Sequence, residues 1–288
     1  MFIGVEAGGT KFNCIIAENP NTILAEKRIE TTIPEKTIQE IIQFIDQADQ
    51  KVQSVGIGSF GPLDLNPDSP NFGCITSTPK TAWKNFNIKK AFEDALHLPV
   101  VLDTDVNAAA YGEFLWGAGR GKQYVLYLTI GTGIGGGLVV NGKPYHGMLH
   151  PEMGHIYLPE TSDFKGVCPY HGNCFEGLAS GPALQKRWGV EASTLEKDHP
   201  AWEKEAHVIA LALCSYICIL SPDIIILGGG VMQQQQLFPL IRKKVLELLH
   251  GYVQAMSIIQ NIDSYIVPPG LGTRSGVLGA LALASMAV

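Results

Sequence analysis

The chain has little cysteine, no cluster of basic residues and no apolar run long enough to cross a membrane. Six cysteines in 288 residues are too few for a disulfide scaffold, and the first residues lack the pattern of a secretion signal. The longest apolar stretch, residues 209–220, is shorter than the roughly 20 residues of a membrane helix. A net charge of −6 without a basic face argues against nucleic-acid binding. We therefore expect a cytoplasmic protein that binds a small molecule, with no membrane or nucleic-acid partner.

Glycine is abundant, with 32 residues, and two glycine-rich turns each lie between two strand-like runs. The first turn reads Gly8-Gly9-Thr10-Lys11, and the second begins Gly131-Thr132-Gly133. The dinucleotide-binding pattern is excluded because strands rather than helices follow, and the Walker pattern because its lysine and hydroxyl residue are absent at the required spacing. Consecutive glycines let backbone amides bind phosphate oxygens. The repeated unit therefore predicts a duplicated α/β fold with a nucleotide clamp; ordinary hairpin turns are the alternative interpretation.

A third glycine run follows another apolar strand pattern at residues 223–227 and reads Gly228-Gly229-Gly230-Val231. Helical periodicity begins soon after it, at residues 237–249. Three glycines at the end of a strand could seat a flat nucleotide base. A tight strand-to-helix turn, needed only for close packing, is the alternative.

The best candidate for a catalytic residue is Asp105. Residues 99–102 form a strand pattern, and the segment that follows, residues 103–107, opens an alanine-rich helix. In open α/β sheets ligands bind at the carboxyl ends of the strands, and amide dipoles hold a carboxylate ionised in the first helical turn. Such an aspartate suits phosphoryl transfer to an alcohol, as the base that accepts the hydroxyl proton. Helix capping is the alternative role, and we expect Asp103 to cap and Asp105 to react.

Four residues form a candidate metal site: His155, Cys168, His171 and Cys174. Two thiolates and two imidazoles are a complete tetrahedral ligand set for zinc, which leaves no position open for a reacting water. The sequence therefore predicts a structural zinc ion that clamps a loop. A disulfide, or two unrelated buried thiols, is the alternative interpretation.

Together these motifs resemble the ROK family of repressors, open reading frames and kinases over nearly the whole chain. Within that family the chain is similar to the zinc-containing bacterial fructokinases. The segments that carry the resemblance are residues 4–11, 103–110, 130–137, 152–155 and 168–181. The resemblance implies an actin-like, hexokinase (ribonuclease H-like) fold of two domains, with ATP and magnesium in an active-site cleft and a sugar beside Asp105.

The resemblance also implies roles for individual residues. Sugar hydroxyls would be held by Thr104, Asp105, Glu152, His155 and Glu176. ATP would be held by Gly8, Gly9, Thr10, Lys11, Gly131, Thr132, Gly133, Gly228, Gly229, Gly230 and Val231. Glu6 stands where the family commonly has an aspartate that contacts magnesium through water, so the resemblance implies a magnesium contact for Glu6. The imidazole of His155 can give one nitrogen to zinc and the other to a sugar hydroxyl. For Glu152 and Glu176, exposed surface charge is the alternative role.

Two departures from the family pattern bear on function. Many glucose-specific relatives carry asparagine directly before the catalytic aspartate, where this chain has Thr104, and this difference disfavours glucose. The family's regulators carry a DNA-binding segment ahead of the first glycine turn, whereas here the first strand pattern starts at Phe2. We therefore expect an enzyme rather than a repressor.

The sequence thus predicts an ATP-dependent fructokinase that makes fructose 6-phosphate. A glucose or mannose kinase is the alternative enzyme, and a non-catalytic sugar sensor is the alternative of another class. We expect a small domain at residues 1–115, with the last helix, in residues 272–288, packed back on it, and a large domain at 116–271 that carries the zinc loop. The resemblance also implies a homodimer.

Overall fold

The computed structural model describes residues 1–48, 50–78, 80–159 and 164–287. Packing groups the chain into two compact units. Unit 1 contains Met1–Arg120, Gly137–Pro151 and Thr273–Val288, and unit 2 contains Gly121–Gly136 and Glu152–Gly272. This grouping places residues 137–151 with the N-terminal part of the chain, while the domain limits expected from sequence stay a prediction.

The first half of the chain alternates strands and helices. In chain order it forms β1 (Phe2–Ala7), β2 (Lys11–Asn19), β3 (Thr22–Glu30), α1 (Pro34–Gln47), β4 (Ser54–Ser59), β5 (Cys74–Ile75), β6 (Phe86–Asn87), α2 (Ile88–Leu96), β7 (Val100–Thr104) and α3 (Asp105–Trp116). The second half forms β8 (Tyr124–Ile130), β9 (Ile134–Val140), β10 (Lys143–Pro144), α4 (Phe175–Ala179), α5 (Gly181–Trp188), α6 (Ala201–Leu220), β11 (Ile224–Gly228), α7 (Leu237–Leu249), α8 (Met256–Ile259), α9 (Ile262–Tyr265), β12 (Ile266–Val267) and α10 (Ser275–Ala284).

Unit 1 is built on a five-stranded sheet with the order β3-β2-β1-β4-β7. The strands β1, β4 and β7 run parallel, and β2 and β3 are antiparallel to their neighbours. Parallel strands covered on both faces need apolar residues at nearly every position, which explains the apolar runs in the sequence. One face of the sheet contributes Ile3, Val5 and Ile57 to a core that also contains Ile41 and Trp83.

The helices α3 and α10 pack against each other and against β4. The sequence permits this close packing because glycine stands where the helix crosses the strands. A Cβ atom at Gly4 of β1 would lie 2.7 Å from the Leu281 backbone nitrogen of α10. A Cβ at Gly56 of β4 would collide with the Ala280 carbonyl oxygen of the same helix.

The three parallel strands of unit 1 end at the same level. Ala7 of β1 pairs in register with Ser59 of β4, and Ser59 pairs with Thr104 of β7. The first glycine turn and the start of α3 therefore leave the same edge of the sheet. The prediction that Asp105 lies at the carboxyl end of a strand is confirmed.

Unit 2 contains a parallel arrangement of β8, β11 and β12, with β11 between the other two. Helices α6 and α7 pack on each other, and α6 buries side chains such as Trp202 and Leu213. Burial inside the unit therefore accounts for most of the long apolar run of α6, although Ile219 near its end is exposed. Within the described residues, no helix is both long and apolar enough to cross a membrane.

Several elements predicted from sequence are confirmed. Strands flank both glycine turns, and the predicted helix at 237–249 is α7. In addition to these predicted elements, the Asn141-Gly142 pair joins β9 to β10, with φ angles of 50° and 79°. Positive φ at both central residues is what a type I′ hairpin turn requires, and asparagine followed by glycine tolerates it best.

Candidate active site and metal centre

The first glycine turn is held rigidly between β1 and β2. The Gly8 amide donates to the Lys11 carbonyl at 2.9 Å, and a Cβ at Gly8 would lie 2.7 Å from that oxygen. Thr31 directly follows β3 and makes two hydrogen bonds to the turn. Its amide donates to the Thr10 carbonyl at 3.1 Å, and its hydroxyl donates to the Gly8 carbonyl at 2.7 Å. These bonds occupy carbonyl oxygens of the turn and fix its backbone, which suits a turn that presents amides to an anion.

Asp105 is the first residue of α3, and Thr104 is the N-cap. The Thr104 hydroxyl accepts a hydrogen bond from the Asn107 amide at 3.1 Å, and Asp105 Oδ1 accepts one from the Val106 amide at 2.9 Å. The expectation that Asp103 caps the helix is therefore wrong. Asp103 is still inside β7, whereas a cap must be the extended residue directly before the helix.

Asp103 instead anchors a buried network next to Asp105. Its Oδ1 accepts hydrogen bonds from the Thr104 amide at 2.7 Å and from Asn107 Nδ2 at 2.9 Å. Asn107 in turn accepts at Oδ1 from the Leu138 amide of β9 at 3.3 Å. The first turn of α3 is thus fixed to both neighbouring strands, which holds the backbone of Asp105 in place.

His146 completes this network, and no local sequence pattern identifies it. Its Nε2 lies 3.0 Å from Asp103 Oδ2, a carboxylate oxygen that is nearly inaccessible to solvent. The hydrogen bond to Asp103 raises the pKa of His146 above its usual value, against a smaller opposing effect of burial. Only the fold brings these residues together, because 43 positions separate them along the chain.

The side chain of Glu6, in β1, lies against the first turn of α10. Its Oε2 accepts a hydrogen bond from Asn13 Nδ2 at 2.7 Å, and a Cβ at Gly276 would collide with its Oε1. The carboxylate lines a cavity of about 430 Å³ together with Arg28 and Arg274. A contact between Glu6 and magnesium stays a prediction.

The second and third glycine turns meet in unit 2. Gly131, Thr132, Gly230 and Val231 line one cavity of about 440 Å³. The polar side chains around it, which sequence reasoning did not single out, are Gln185, Glu191, Ser193, Gln233 and Gln234. The backbone of the second turn is closed by a bond from the Gly131 amide to the Gly133 carbonyl at 2.9 Å. A cavity of this size between two glycine runs can hold a nucleoside.

The side chain of Glu176 contacts the second glycine turn. Its Oε2 accepts a hydrogen bond from the Ile134 amide at 2.9 Å, and a Cβ at Gly133 would lie 2.8 Å from the same oxygen. Glu152 is exposed and precedes the short 3₁₀ turn Met153–His155, in which the His155 amide donates to the Glu152 carbonyl at 3.0 Å. Unit 2 therefore carries both glutamates and His155 on segments that adjoin the metal-site loop.

The four candidate metal ligands converge. One ligand atom from each of the four residues lies within 4.8 Å of all the others. Cys174 Sγ is 3.5 Å and Cys168 Sγ 3.9 Å from His155 Nδ1, and Cys168 Sγ is 3.7 Å from His171 Nδ1. Zinc–sulfur and zinc–nitrogen bonds of about 2.3 and 2.0 Å at tetrahedral angles require donor separations of about 3.3 to 3.8 Å. The donor set and its spacing therefore fit one tetrahedral metal ion.

Local structure explains why these ligands point at one another. Cys168 and Gly172 form an isolated β-bridge around a tight turn, and Gly172 has a φ of 60°. Cys174 is the N-cap of α4, and its Sγ accepts a hydrogen bond from the Gly177 amide at 3.4 Å. Burial raises the pKa of the Cys174 thiol to about 11, so a metal ion that binds here has to displace a proton.

Comparisons with known proteins show the family and the fold of this chain. The ROK family model matches residues 2–287. A fructokinase of Zymomonas mobilis subsp. mobilis (strain ATCC 31821 / ZM4 / CP4) is 42% identical over 292 residues, covering 97% of this chain and 95% of the relative.

Two solved structures show the same fold. A ROK hexokinase from Thermus thermophilus matches with a TM-score of 0.82 at 25% identity, covering 99% of this chain and 98% of that one. A ROK family glucokinase from Streptomyces griseus, in complex with glucose and AMPPNP, matches with a TM-score of 0.77 at 26% identity, covering 99% of each chain. The fold is the mixed α/β, actin-like fold of the ROK hexokinases and glucokinases, as the sequence predicted. With a family model that spans residues 2–287, the chain belongs to the ROK family.

Proposed function

We propose that this chain is an ATP-dependent fructokinase that converts D-fructose to fructose 6-phosphate. The observation that carries the proposal is the shared sheet edge in unit 1, where Ala7, Ser59 and Thr104 are in register. Neighbouring strands are about 4.8 Å apart, so the ends of β1 and β7 are separated by roughly 10 Å. A phosphoryl group at the first glycine turn and a sugar hydroxyl at Asp105 can therefore be neighbours.

In this proposal Asp105 is the catalytic base. It orients the 6-hydroxyl of fructose, and it accepts the hydroxyl proton as the oxygen attacks the terminal phosphorus of ATP. The N-terminus of α3 favours the ionised carboxylate that this role needs. The network of Asp103, Asn107 and His146 supports the role because it fixes the helix turn from which Asp105 projects.

We assign the nucleoside of ATP to the unit 2 cavity between Gly131 and Val231 and its phosphates to the glycine turns. The proposed phosphate ligands are the amides and hydroxyls of Gly9, Thr10, Lys11, Thr132 and Gly133. Gly8 and Gly131, whose amides donate within the turns, would shape the backbone around the phosphates. Magnesium, when bound with ATP, would neutralise charge on the phosphate oxygens. Glu6 is the residue of unit 1 that we assign to its hydration shell.

We assign the sugar hydroxyls to Thr104, Glu152, His155 and Glu176, in addition to Asp105. The Thr104 hydroxyl is nearly buried and accepts one hydrogen bond from the Asn107 amide, so its proton and its second lone pair remain for a sugar hydroxyl. Zinc, when bound by His155, Cys168, His171 and Cys174, would clamp the loop that carries the sugar ligands. This role is structural because four protein ligands fill the tetrahedral coordination.

Fructose is favoured over glucose by the comparison of relatives. The relative at 42% identity is named a fructokinase, whereas the glucokinase that matches in structure is 26% identical. Glucose or mannose phosphorylation is the second candidate, and the similarity to that glucokinase is the observation that favours it. A homodimer and a cytoplasmic location remain predictions from sequence.

A coupled assay of ADP release tests the proposal. Purified, zinc-replete protein with magnesium and ATP is compared on fructose, glucose, mannose and N-acetylhexosamines at matched concentrations. A higher kcat/KM for fructose supports the fructokinase assignment. A preference for glucose or mannose supports the second candidate, and the absence of turnover with every sugar contradicts the kinase proposal.

A further inference from the structure

The side chain of Lys80 lies over the first glycine turn. Its Cε is 3.5 Å from the position that a Cβ atom would take at Gly9, which places the end of the side chain above the turn's backbone. The residue is exposed, and it forms no ion pair with a carboxylate in the part of the chain that the structure describes. The ammonium group is thus available to an anion that binds at this turn.

The same framework fixes both Lys80 and the turn. The Trp83 amide donates to the Lys80 carbonyl at 2.8 Å, and the Trp83 indole is buried. That indole stacks on Phe12, which directly follows the turn, with ring centroids 5.3 Å apart. Its Nε1 donates to the Thr32 carbonyl at 2.8 Å. Thr32 directly follows Thr31, whose hydroxyl donates to the Gly8 carbonyl of the turn. The position of Lys80 over Gly9 is therefore built by buried contacts, although the side chain itself is exposed.

The shared sheet edge indicates which phosphate is involved. The turn follows β1 and Asp105 follows β7, two parallel strands that end in register on either side of β4. If Asp105 takes the proton from the attacking hydroxyl, the phosphoryl group at the neighbouring turn is the one being transferred. The three equatorial oxygens of that group carry negative charge through the transition state, and a lysine ammonium is a point charge suited to phosphate.

We propose that Lys80 binds the terminal phosphoryl group of ATP and stabilises the charge on its oxygens during transfer, an inference that rests on the proposed kinase function. In the step, a bond forms between O6 of fructose and the terminal phosphorus. The bond from that phosphorus to the bridging oxygen breaks, and ADP leaves with the electron pair. The proton of O6 passes to Asp105, while Lys80 keeps its proton throughout.

The test compares three variants: Lys80→Met, Lys80→Arg and Lys84→Met. Lys80 directly precedes the short 3₁₀ turn Thr81–Trp83, and Lys84 directly follows it. Lys84 is also exposed, so Lys84→Met removes an equal positive charge close to Lys80. We expect Lys80→Met to lower kcat about a hundredfold, as loss of one charge-stabilising group does, with KM for fructose unchanged. Lys80→Arg should recover part of the loss, and Lys84→Met should match the wild type.

A binding measurement separates contact with the terminal phosphate from a general effect on the protein. Titration calorimetry with magnesium and either AMPPNP or ADP should show that Lys80→Met weakens AMPPNP binding and leaves ADP binding unchanged. Equal weakening of both nucleotides, or a kcat equal to that of the wild type, would overturn the assignment of Lys80. A wild type that phosphorylates no sugar would instead contradict the proposed kinase function.

Discussion

His146 Nε2 lies 3.0 Å from Oδ2 of Asp103, two residues before the proposed catalytic base Asp105. The Asp103 carboxylate is buried and the His146 imidazole is partly exposed, so the pair extends from the interior of unit 1 to its surface. A protonated imidazole makes a charge-assisted hydrogen bond to this carboxylate, which is stronger than the neutral one. The protonation of His146 should therefore affect how firmly the start of α3 is held.

The first prediction concerns the pH dependence of stability. The pKa of His146 is raised in the folded protein by its hydrogen bond to Asp103. A raised folded-state pKa adds stability that is fully present below the unfolded-state value of about 6.5 and is lost as the pH rises through the folded-state value. His146→Gln keeps a neutral donor but loses the charge, so its unfolding free energy should fall below that of the wild type mainly at low pH.

Urea unfolding of the wild type and of His146→Gln between pH 5 and pH 9 measures this difference. The exposed His97, with a φ of 52°, provides a matched control as His97→Asn, because asparagine tolerates that conformation. We expect no comparable pH trend in the control. A stability difference for His146→Gln that grows as the pH rises would show that the sign of the interaction is wrong.

The second prediction concerns the metal site. Cys174→Ser should lose the bound zinc and most of the kinase activity, because the loop that carries His155 and Glu176 would no longer be clamped. Cys214→Ser removes a half-buried thiol of α6 and should keep one zinc ion per chain. Elemental analysis and the coupled assay, on the same preparations, measure the two quantities. Full activity in a zinc-free Cys174→Ser protein would contradict the structural role of the metal.

The third prediction concerns the approach of α3 to β4. A Cβ at Gly58 would lie 2.6 Å from the Ala108 Cβ, so Gly58→Ala overpacks this contact. We expect a loss of about 1 to 3 kcal/mol in unfolding free energy, together with a fall in kcat, because the displaced helix carries Asp105. Gly147→Ala is the control, since its Cβ would meet its nearest atom at 3.7 Å, an ordinary contact. Equal stability of Gly58→Ala and the wild type would argue against close packing here.

Local patterns predicted much of the fold and of the site. The strands around each glycine turn, helix α7 and the position of Asp105 follow from hydrophobic periodicity and turn chemistry, which act over a few residues. The four metal ligands lie within 20 positions of one another, so their spacing alone indicated a common site. Such features depend little on the rest of the chain.

Other features depend on tertiary structure or on the last residue of a strand. The sequence did not predict that Thr104 rather than Asp103 caps α3, because both are good capping residues and the choice depends on where β7 ends. The contacts of His146 with Asp103 and of Lys80 with Gly9 join distant parts of the chain. No local pattern in the sequence marks either residue.

The proposed kinase function depends most on Asp105, the proposed base in phosphoryl transfer to fructose. Asp105→Asn keeps the shape of the side chain but removes its ability to accept a proton. The direct measurement is the kcat of this variant in the coupled assay, with fructose affinity determined by calorimetry on the same sample. We predict a loss in kcat of about 10²- to 10⁴-fold with fructose affinity largely retained. A kcat near that of the wild type would contradict the assignment of Asp105 as the base.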